Sequence, residues 1–390
     1  MRIGIVVPHI FMHREVLPKV IFSPAQLALD LAEGLQAAGA EVTLFSPGPV
    51  DTSMRNITAD LSYFETELAG RGDTYVDLLK KHPFTFITLA RQVQSELIAR
   101  AYQMANADEL DVVHIYTNEE DIALPFASLC TKPVVFTHHD PFNFLVKYKN
   151  TFPKYKDLNW ISMSYAQRKG MPADTNWVGN VYHGLSDEAL HPVDKPTGDY
   201  IAYIGRIIQP KGLHLAIAAV KAYNRTAKQP LKLKIAGKHY AGHKNDTYWQ
   251  QIEPLIDGNI IEYIGFIDSS DAKREFLGNA RAVIVPSIFE EPFGMVSIEA
   301  LACGTPVIGL DSGAIPEVIN NIAIGQVVAK VVSHGAILDE PATARALANT
   351  LARLDHFDRT VCRSAYKSRF TAARMCEAHL RIYENLVNKH

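Results

Sequence analysis

Short apolar runs recur along this chain, each separated from the next by a stretch with helical spacing, and that alternation constrains the fold more than any other feature. Ile3–Val7, Val42–Phe45, Val112–Ile115, Val134–Thr137, Ile161–Met163 and Trp177–Tyr182 read as strands. Between the first two, Leu27, Leu31 and Leu35 repeat at helical spacing. Ser23-Pro24-Ala25-Gln26 predicts a capping box with proline at the first helical position, and Gly39 supplies a stop. Strands that are apolar on both faces and alternate with helices predict an α/β fold with a parallel, doubly wound sheet.

The pattern pauses at His191-Pro192-Val193-Asp194-Lys195-Pro196-Thr197-Gly198-Asp199, a polar stretch with two prolines and a glycine that reads as a linker. A second series follows at Tyr200–Ile204, Leu231–Ala236, Ile260–Ile264, Ala282–Val285, Pro306–Ile308 and Gln326–Val328. The expected organisation is an N-terminal domain over residues 1–192, a second over 193–370 and a terminal helix over 371–390, with Met375, Ala378, Ile382 and Leu386 on one side of that helix. Two such domains would form a cleft, and ligands of such sheets bind beyond the carboxyl ends of the strands. Motifs just after strands therefore carry the most weight.

Composition removes several classes. With 47% hydrophobic and 21% charged residues and a net charge of -3, the 390-residue chain is ordinary for a globular protein and offers no broadly basic surface for nucleic acid. No run of about 18 apolar residues occurs, so no transmembrane helix is expected. The opening apolar run reaches Pro8 at once, too soon for a signal-peptide core. Cys130, Cys303, Cys362 and Cys376 lie far apart with no CxxC pair, as reduced thiols in a cytoplasmic protein would.

Three segments of the second series carry chemistry. Gly205-Arg206-Ile207-Ile208-Gln209-Pro210-Lys211-Gly212 joins a strand to the helix Leu213–Tyr223. A glycine turn, two cations and a helix N-terminus suit a pyrophosphate, although a solvated loop has the same composition. Pro286-Ser287-Ile288-Phe289-Glu290-Glu291-Pro292-Phe293-Gly294-Met295-Val296-Ser297-Ile298-Glu299 follows another strand and opens a helix near Gly294. Glu291 in the turn and Glu299 in the helix can each accept two hydroxyl hydrogen bonds, which ribose and hexose diols offer. Helix-terminal and surface charge are the plain alternatives. Ala302-Cys303-Gly304-Thr305-Pro306-Val307-Ile308, by itself, is mostly architecture.

In this order and spacing, these segments closely resemble glycosyltransferase family 4, retaining enzymes of the GT-B fold. The resemblance runs from Tyr200 to about Val328. It implies two Rossmann-like domains facing across a cleft, with the C-terminal helix crossing back to the first. It implies transfer of a sugar from a UDP- or GDP-linked donor to an acceptor hydroxyl, with no bound metal and no cofactor beyond the nucleotide sugar. Carried over by position, Arg206 and Lys211 bind the pyrophosphate and Glu299 the ribose. Glu291 contacts the transferred sugar, with Phe293, Gly294, Met295 and Val296 around sugar and phosphate. Gly205 lets the first loop turn, Gly237 and Lys238 line the nucleotide pocket, and Phe266 and Ile267 hold the base.

The first half matches more loosely. Lys132-Pro133-Val134-Val135-Phe136-Thr137-His138-His139 resembles the strand that ends in the family's active-site histidine, with His139 at that position and His138 its rival. Where the family often has a Gly-Gly loop after its first strand, this chain has the glycine-free Pro8–Lys19, so His9, His13, Arg14 and Lys19, together with His138, are the candidate acceptor contacts. The acceptor, whether small molecule, glycan or lipid, is left open. Two other readings also stay open: a nucleotide-sugar epimerase of the same architecture and a non-catalytic nucleotide-sugar-binding subunit. Lys80-Lys81-His82-Pro83-Phe84-Thr85-Phe86 mixes basic and aromatic residues, a pattern compatible with peripheral membrane association.

Overall fold

The computed structural model describes residues 1–20, 22–116, 120–239, 246–333 and 337–389; the side chains of Lys19 and Glu120 fall outside that description. The chain divides into two compact units, Met1–Gly184 together with Ala372–His390, and Leu185–Thr371. The polar stretch read as a linker, His191–Asp199, belongs to the second unit, where Thr197 donates to the Asn279 side chain.

The first unit holds a seven-stranded sheet of β1 (Arg2–Val6), β2 (Glu41–Ser46), β3 (Arg55–Thr58), β4 (Val112–Tyr116), β5 (Val134–Thr137), β6 (Asn159–Ser162) and β7 (Trp177–Asn180). Its order is β3-β2-β1-β4-β5-β6-β7, and every pairing is parallel. The second unit holds β8 (Tyr200–Ile204), β9 (Lys232–Ala236), β10 (Ile261–Gly265), β11 (Ala282–Val285), β12 (Val307–Leu310) and β13 (Gly325–Val328) in the order β10-β9-β8-β11-β12-β13, again all parallel. The doubly wound α/β class is therefore present twice. In each sheet the order reverses after the first strand of the unit, so a crevice opens beyond β1 and β4 in one and beyond β8 and β11 in the other.

The capping box expected at Ser23 does not form. Ser23 is already the first residue of the helix Ser23–Ala37, the residue before it is Phe22, and no side chain bonds to the first-turn amides. Phe22 instead stacks on His9 at 4.5 Å, so ring packing fixes where the chain enters the helix.

The C-terminal helix Ala372–Val387 packs within the first unit, but on a different face from the one expected. Met375, Cys376, His379 and Tyr383 are buried, whereas Ala378, Ile382 and Leu386 are only half-buried. Polar partners turn the helix to this face. The Tyr383 hydroxyl bonds His114 Nδ1 at 2.6 Å, and His114 Nε2 meets Thr137 Oγ1 at 2.8 Å. Cys376 lies against the helix Ser23–Ala37 at Gly34, where an added Cβ would come within 2.2 Å of Sγ. A histidine and a tyrosine thus take the buried face, and the aliphatic residues expected there lie at its margin.

Around that seam the first unit buries His114, His138, His139, His183 and His379. Burial disfavours the imidazolium in each: it holds His138 and His139 down at about 3 and His379 at about 4, and it pushes His114 and His183 well below the usual range. All five are neutral in the native protein at neutral pH. Above the unfolded-state value near 6.5 neither state is protonated, so these groups leave stability unchanged there. Below it the unfolded chain takes up protons that the native chain refuses, and stability falls as pH falls toward the depressed native values. Each such histidine contributes up to about 1.4 kcal/mol of loss per pH unit in that window. Thermal unfolding followed by circular dichroism should give a midpoint flat between about pH 8 and 7 and a steep decline below about pH 6.5. A midpoint unchanged through that lower range would contradict the buried neutral cluster.

Candidate functional site

In the second unit, two loops meet at the sheet crossover. The β8 loop opens at Gly205, whose amide donates to Ala236, while Ile207 donates to Lys238. It ends at Gly212, which has φ 69° and begins the helix Leu213–Asn224. A Cβ there would lie 2.0 Å from the Pro286 carbonyl oxygen, so glycine permits the close approach of the β11 loop. That approach is locked by the amides of Ile288 and Phe289, both donating to the Pro210 carbonyl at 2.8 and 3.0 Å.

This stitching brings Lys211 to Glu291, with Nζ 2.5 Å from Oε1. Both groups are largely out of water, at 21% and 9% side-chain exposure. The Glu291 carbonyl accepts from the Ala314 amide at 2.8 Å, and the neighbouring Gly313 (φ 57°) leaves no room for a Cβ against it. Glu290 diverges, with Lys330 at 3.0 Å and the Gly313 amide at 3.1 Å as its partners. The adjacent glutamates therefore separate into an inward one paired with Lys211 and an outward one that ties loops together. Arg206 is exposed, with no ion-pair partner among the described residues.

Gly294, at φ 90° and ψ 61°, precedes the helix Met295–Ala302, and no side chain caps that helix. The first-turn amides, at Met295 and Val296, are those an intrahelical ladder leaves without acceptors. Phe293 points the other way: its ring is buried and packs edge-on against Phe370 at 6.0 Å, supporting the turn from beneath. Glu299 is only 13% exposed and pairs with Lys273 at 2.9 Å. Lys273 carries no signal in the sequence, because a lysine in the polar helix Ser270–Gly278 looks like a solvated charge.

Beyond β9 and β10, Gly237 donates to the Gly265 carbonyl at 2.8 Å and accepts from the Tyr263 hydroxyl at 2.9 Å. Lys238 lies over the Phe266 ring at 3.9 Å, and Ile267 is half-buried beside it. His239 stacks on Trp249 at 4.2 Å and 5°. Neither His239 nor Trp249 was read from the sequence, where nothing relates a loop histidine to a tryptophan in the next helix.

In the first unit, the consecutive histidines after β5 part company. His138 is enclosed by Phe142, Tyr148 and Phe152 at 5.1, 4.4 and 4.9 Å, and its carbonyl accepts from the Gln167 amide side chain. His139 lies face to face with His183 at 5.2 Å and 7°, with the Tyr116 ring edge-on at 4.7 Å. His9 accepts from the Phe11 amide, and burial together with nearby Lys147 lowers it to about 4. His13 is buried against Gly48 and Tyr75 and accepts from the Glu15 amide, so its ring shapes the loop from inside. Arg14 projects into solvent. Lys19 lies outside the described side chains.

The chain matches the family model for Glycosyltransferase Family 4 over residues 25–173 and that for Glycosyl transferases group 1 over residues 188–356. It is 31% identical over 151 residues to a glycogen synthase of Mycobacterium tuberculosis, a match that covers 37% of this chain and 35% of that protein, about a third of the relative's length. Among solved structures, sucrose-phosphate synthase from Thermosynechococcus elongatus superposes with a TM-score of 0.71 at 18% identity over 100% of both chains. Anabaena Alr3699/HepE, in complex with UDP-glucose, superposes with a TM-score of 0.64 at 16% identity over 100% of both chains. These likenesses show the same fold. No helix among the described residues is long and apolar enough to cross a membrane. With one model on each parallel-sheet unit and most of the sequence between them, the chain belongs to the family 4 glycosyltransferases and has their GT-B architecture.

Proposed function

We propose that the chain is a retaining glycosyltransferase that moves a sugar from a UDP- or GDP-linked donor to an acceptor hydroxyl. The observation that carries this reading is the Lys211–Glu291 pair, held by backbone bonds at the carboxyl ends of β8 and β11. A cation and a carboxylate at one point suit a ligand that is anionic at one end and rich in hydroxyls at the other. Arg206, Lys211 and the first-turn amides of Met295 and Val296 take the diphosphate, and they stabilise the charge that grows on it as the glycosidic bond breaks. Released from Lys211 by the phosphate, the Glu291 carboxylate accepts from sugar hydroxyls. Glu299 accepts from the ribose diol, with Lys273 holding its carboxylate in place. Gly237, Lys238, Phe266 and Ile267 receive the base. The bound UDP-glucose of the Anabaena protein supports a nucleotide-sugar donor.

In the first unit we assign His139 as the active-site histidine. Its ring belongs to a polar cluster, whereas that of His138 is enclosed by aromatic rings. Being neutral, His139 serves as a hydrogen-bonding group and not as a cation. His9 and Arg14 remain the proposed acceptor contacts of the loop, with His13 shaping it.

A screen of UDP- and GDP-sugars for nucleotide-diphosphate release, with and without acceptor pools, tests the class. Release that rises with an acceptor is expected. Donor turnover that ignores acceptors would point to an epimerase, and donor binding without turnover to a non-catalytic subunit. Glu291→Gln should lower transfer by at least about 100-fold with nucleotide affinity within about threefold of the parent, and Lys211→Ala should weaken both. Full transfer activity in Glu291→Gln would remove the assignment. Because His183 lies flat against His139, His183→Ala should lower kcat by about 10- to 100-fold through a misplaced ring, while His183→Phe, which keeps a flat face there, should recover most of it. Equal loss in both variants would show that stacking is not what His183 supplies.

A further inference from the structure

The first unit also presents a surface that is at once apolar and basic. Phe84 and Ile87, one turn apart at the start of the helix Pro83–Asn106, are 86% and 52% exposed. Lys80, Lys81 and His82 precede them, also exposed, and no acidic residue occurs from Lys80 to Ser95. The second contribution comes from Leu145 and Val146, 40% and 77% exposed at the start of the helix Val146–Thr151. Here Lys147, Lys149, Lys154 and Lys156 follow, again with no acidic residue from Pro141 to Lys156.

Asp121 joins the two segments. Its carboxylate takes both Arg91 terminal nitrogens at 3.1 Å and Lys147 Nζ at 3.3 Å. A cation from each segment thus shares this one carboxylate. Asp73 neutralises Lys81, but Lys80, Lys149 and Lys154 are exposed with no ion pair among the described residues. All this sits in a chain of net charge -3, so the local sign runs against the whole.

We propose that this surface docks the protein on an anionic lipid bilayer. Single exposed apolar residues need no explanation. Four large ones interleaved with unneutralised lysines combine the two terms that hold a protein at a headgroup layer: shallow apolar insertion and attraction to anionic lipid. A second copy of the chain fits the surface poorly, because a two-fold contact would set these lysines against themselves. The surface also adjoins the loops after β1 and β5, since Lys147 is near enough to His9 and His138 to disfavour their protonation. An acceptor carried in the bilayer would thus reach the edge where the candidate acceptor residues lie. Docking itself does not depend on the glycosyl-transfer reading.

Co-sedimentation of the full chain with vesicles tests the proposal. Binding is expected to vesicles of phosphatidylcholine mixed with phosphatidylglycerol, with little binding to phosphatidylcholine alone and a decline as sodium chloride is raised. Phe84→Ser with Val146→Ser, and separately Lys80→Glu with Lys149→Glu, should each weaken partitioning by about tenfold or more at unchanged circular dichroism and thermal midpoint. Absence of binding to the anionic vesicles at low salt would overturn the proposal, as would either double variant binding like the parent. Self-association in sedimentation velocity that Phe84→Ser abolishes, with no vesicle binding, would assign the surface to a second copy instead.

Discussion

Two backbone hydrogen bonds set the geometry of the second unit's site. Because Ile288 and Phe289 both donate to the Pro210 carbonyl, the loop after β11 cannot move independently of the loop after β8. Lys211 and Glu291, eighty positions apart in sequence, meet at 2.5 Å as a consequence. Gly212 and Gly313 serve the same end by removing the Cβ atoms that would push the Pro286 and Glu291 carbonyls away. The side-chain chemistry rests on a backbone frame in which each loop is braced by its neighbour, as a site that must not reorganise during reaction requires.

The two units meet their polar demands in opposite ways. The second pairs its buried carboxylates with lysines, Glu291 with Lys211 at 2.5 Å and Glu299 with Lys273 at 2.9 Å. The first avoids charge and uses rings: His114, His139, His183 and His379 are all neutral and touch one another or Tyr116 and Tyr383. Fixed cations suit the binding of an anion, whereas neutral rings offer hydrogen bonds without drawing water in with a charge.

How far the sequence revealed this depended on whether a residue's role was local. Strands such as Ile3–Val6 and Val283–Val285 are apolar on both faces and were legible at once, whereas β3, Arg-Asn-Ile-Thr at the sheet edge, carries too little apolar signal to stand out. The motif residues after β8 and β11 were legible because glycine, cation and carboxylate fall at fixed offsets from strand ends. Lys273, His239 and Trp249 were not, since each acts through a partner on another element. The C-terminal helix was legible as a helix and misread in phase. Its polar Tyr383 is buried because its hydroxyl is hydrogen-bonded to His114 on β4, information that resides in another segment.

The separation of His138 from His139 shows the same principle at the smallest scale. Consecutive residues leaving an extended strand point to opposite faces, so the two imidazoles had to enter different environments. The Gln167 side chain donates to the carbonyls of His138 and Asp140, which spans His139 and holds the turn in register. A slip of one residue would set His139 among Phe142, Tyr148 and Phe152 and put Asp140 in its place, leaving His183 without its stacking partner. The buried glutamine amide therefore decides which histidine lies against His183, although it donates to carbonyls and not to an imidazole.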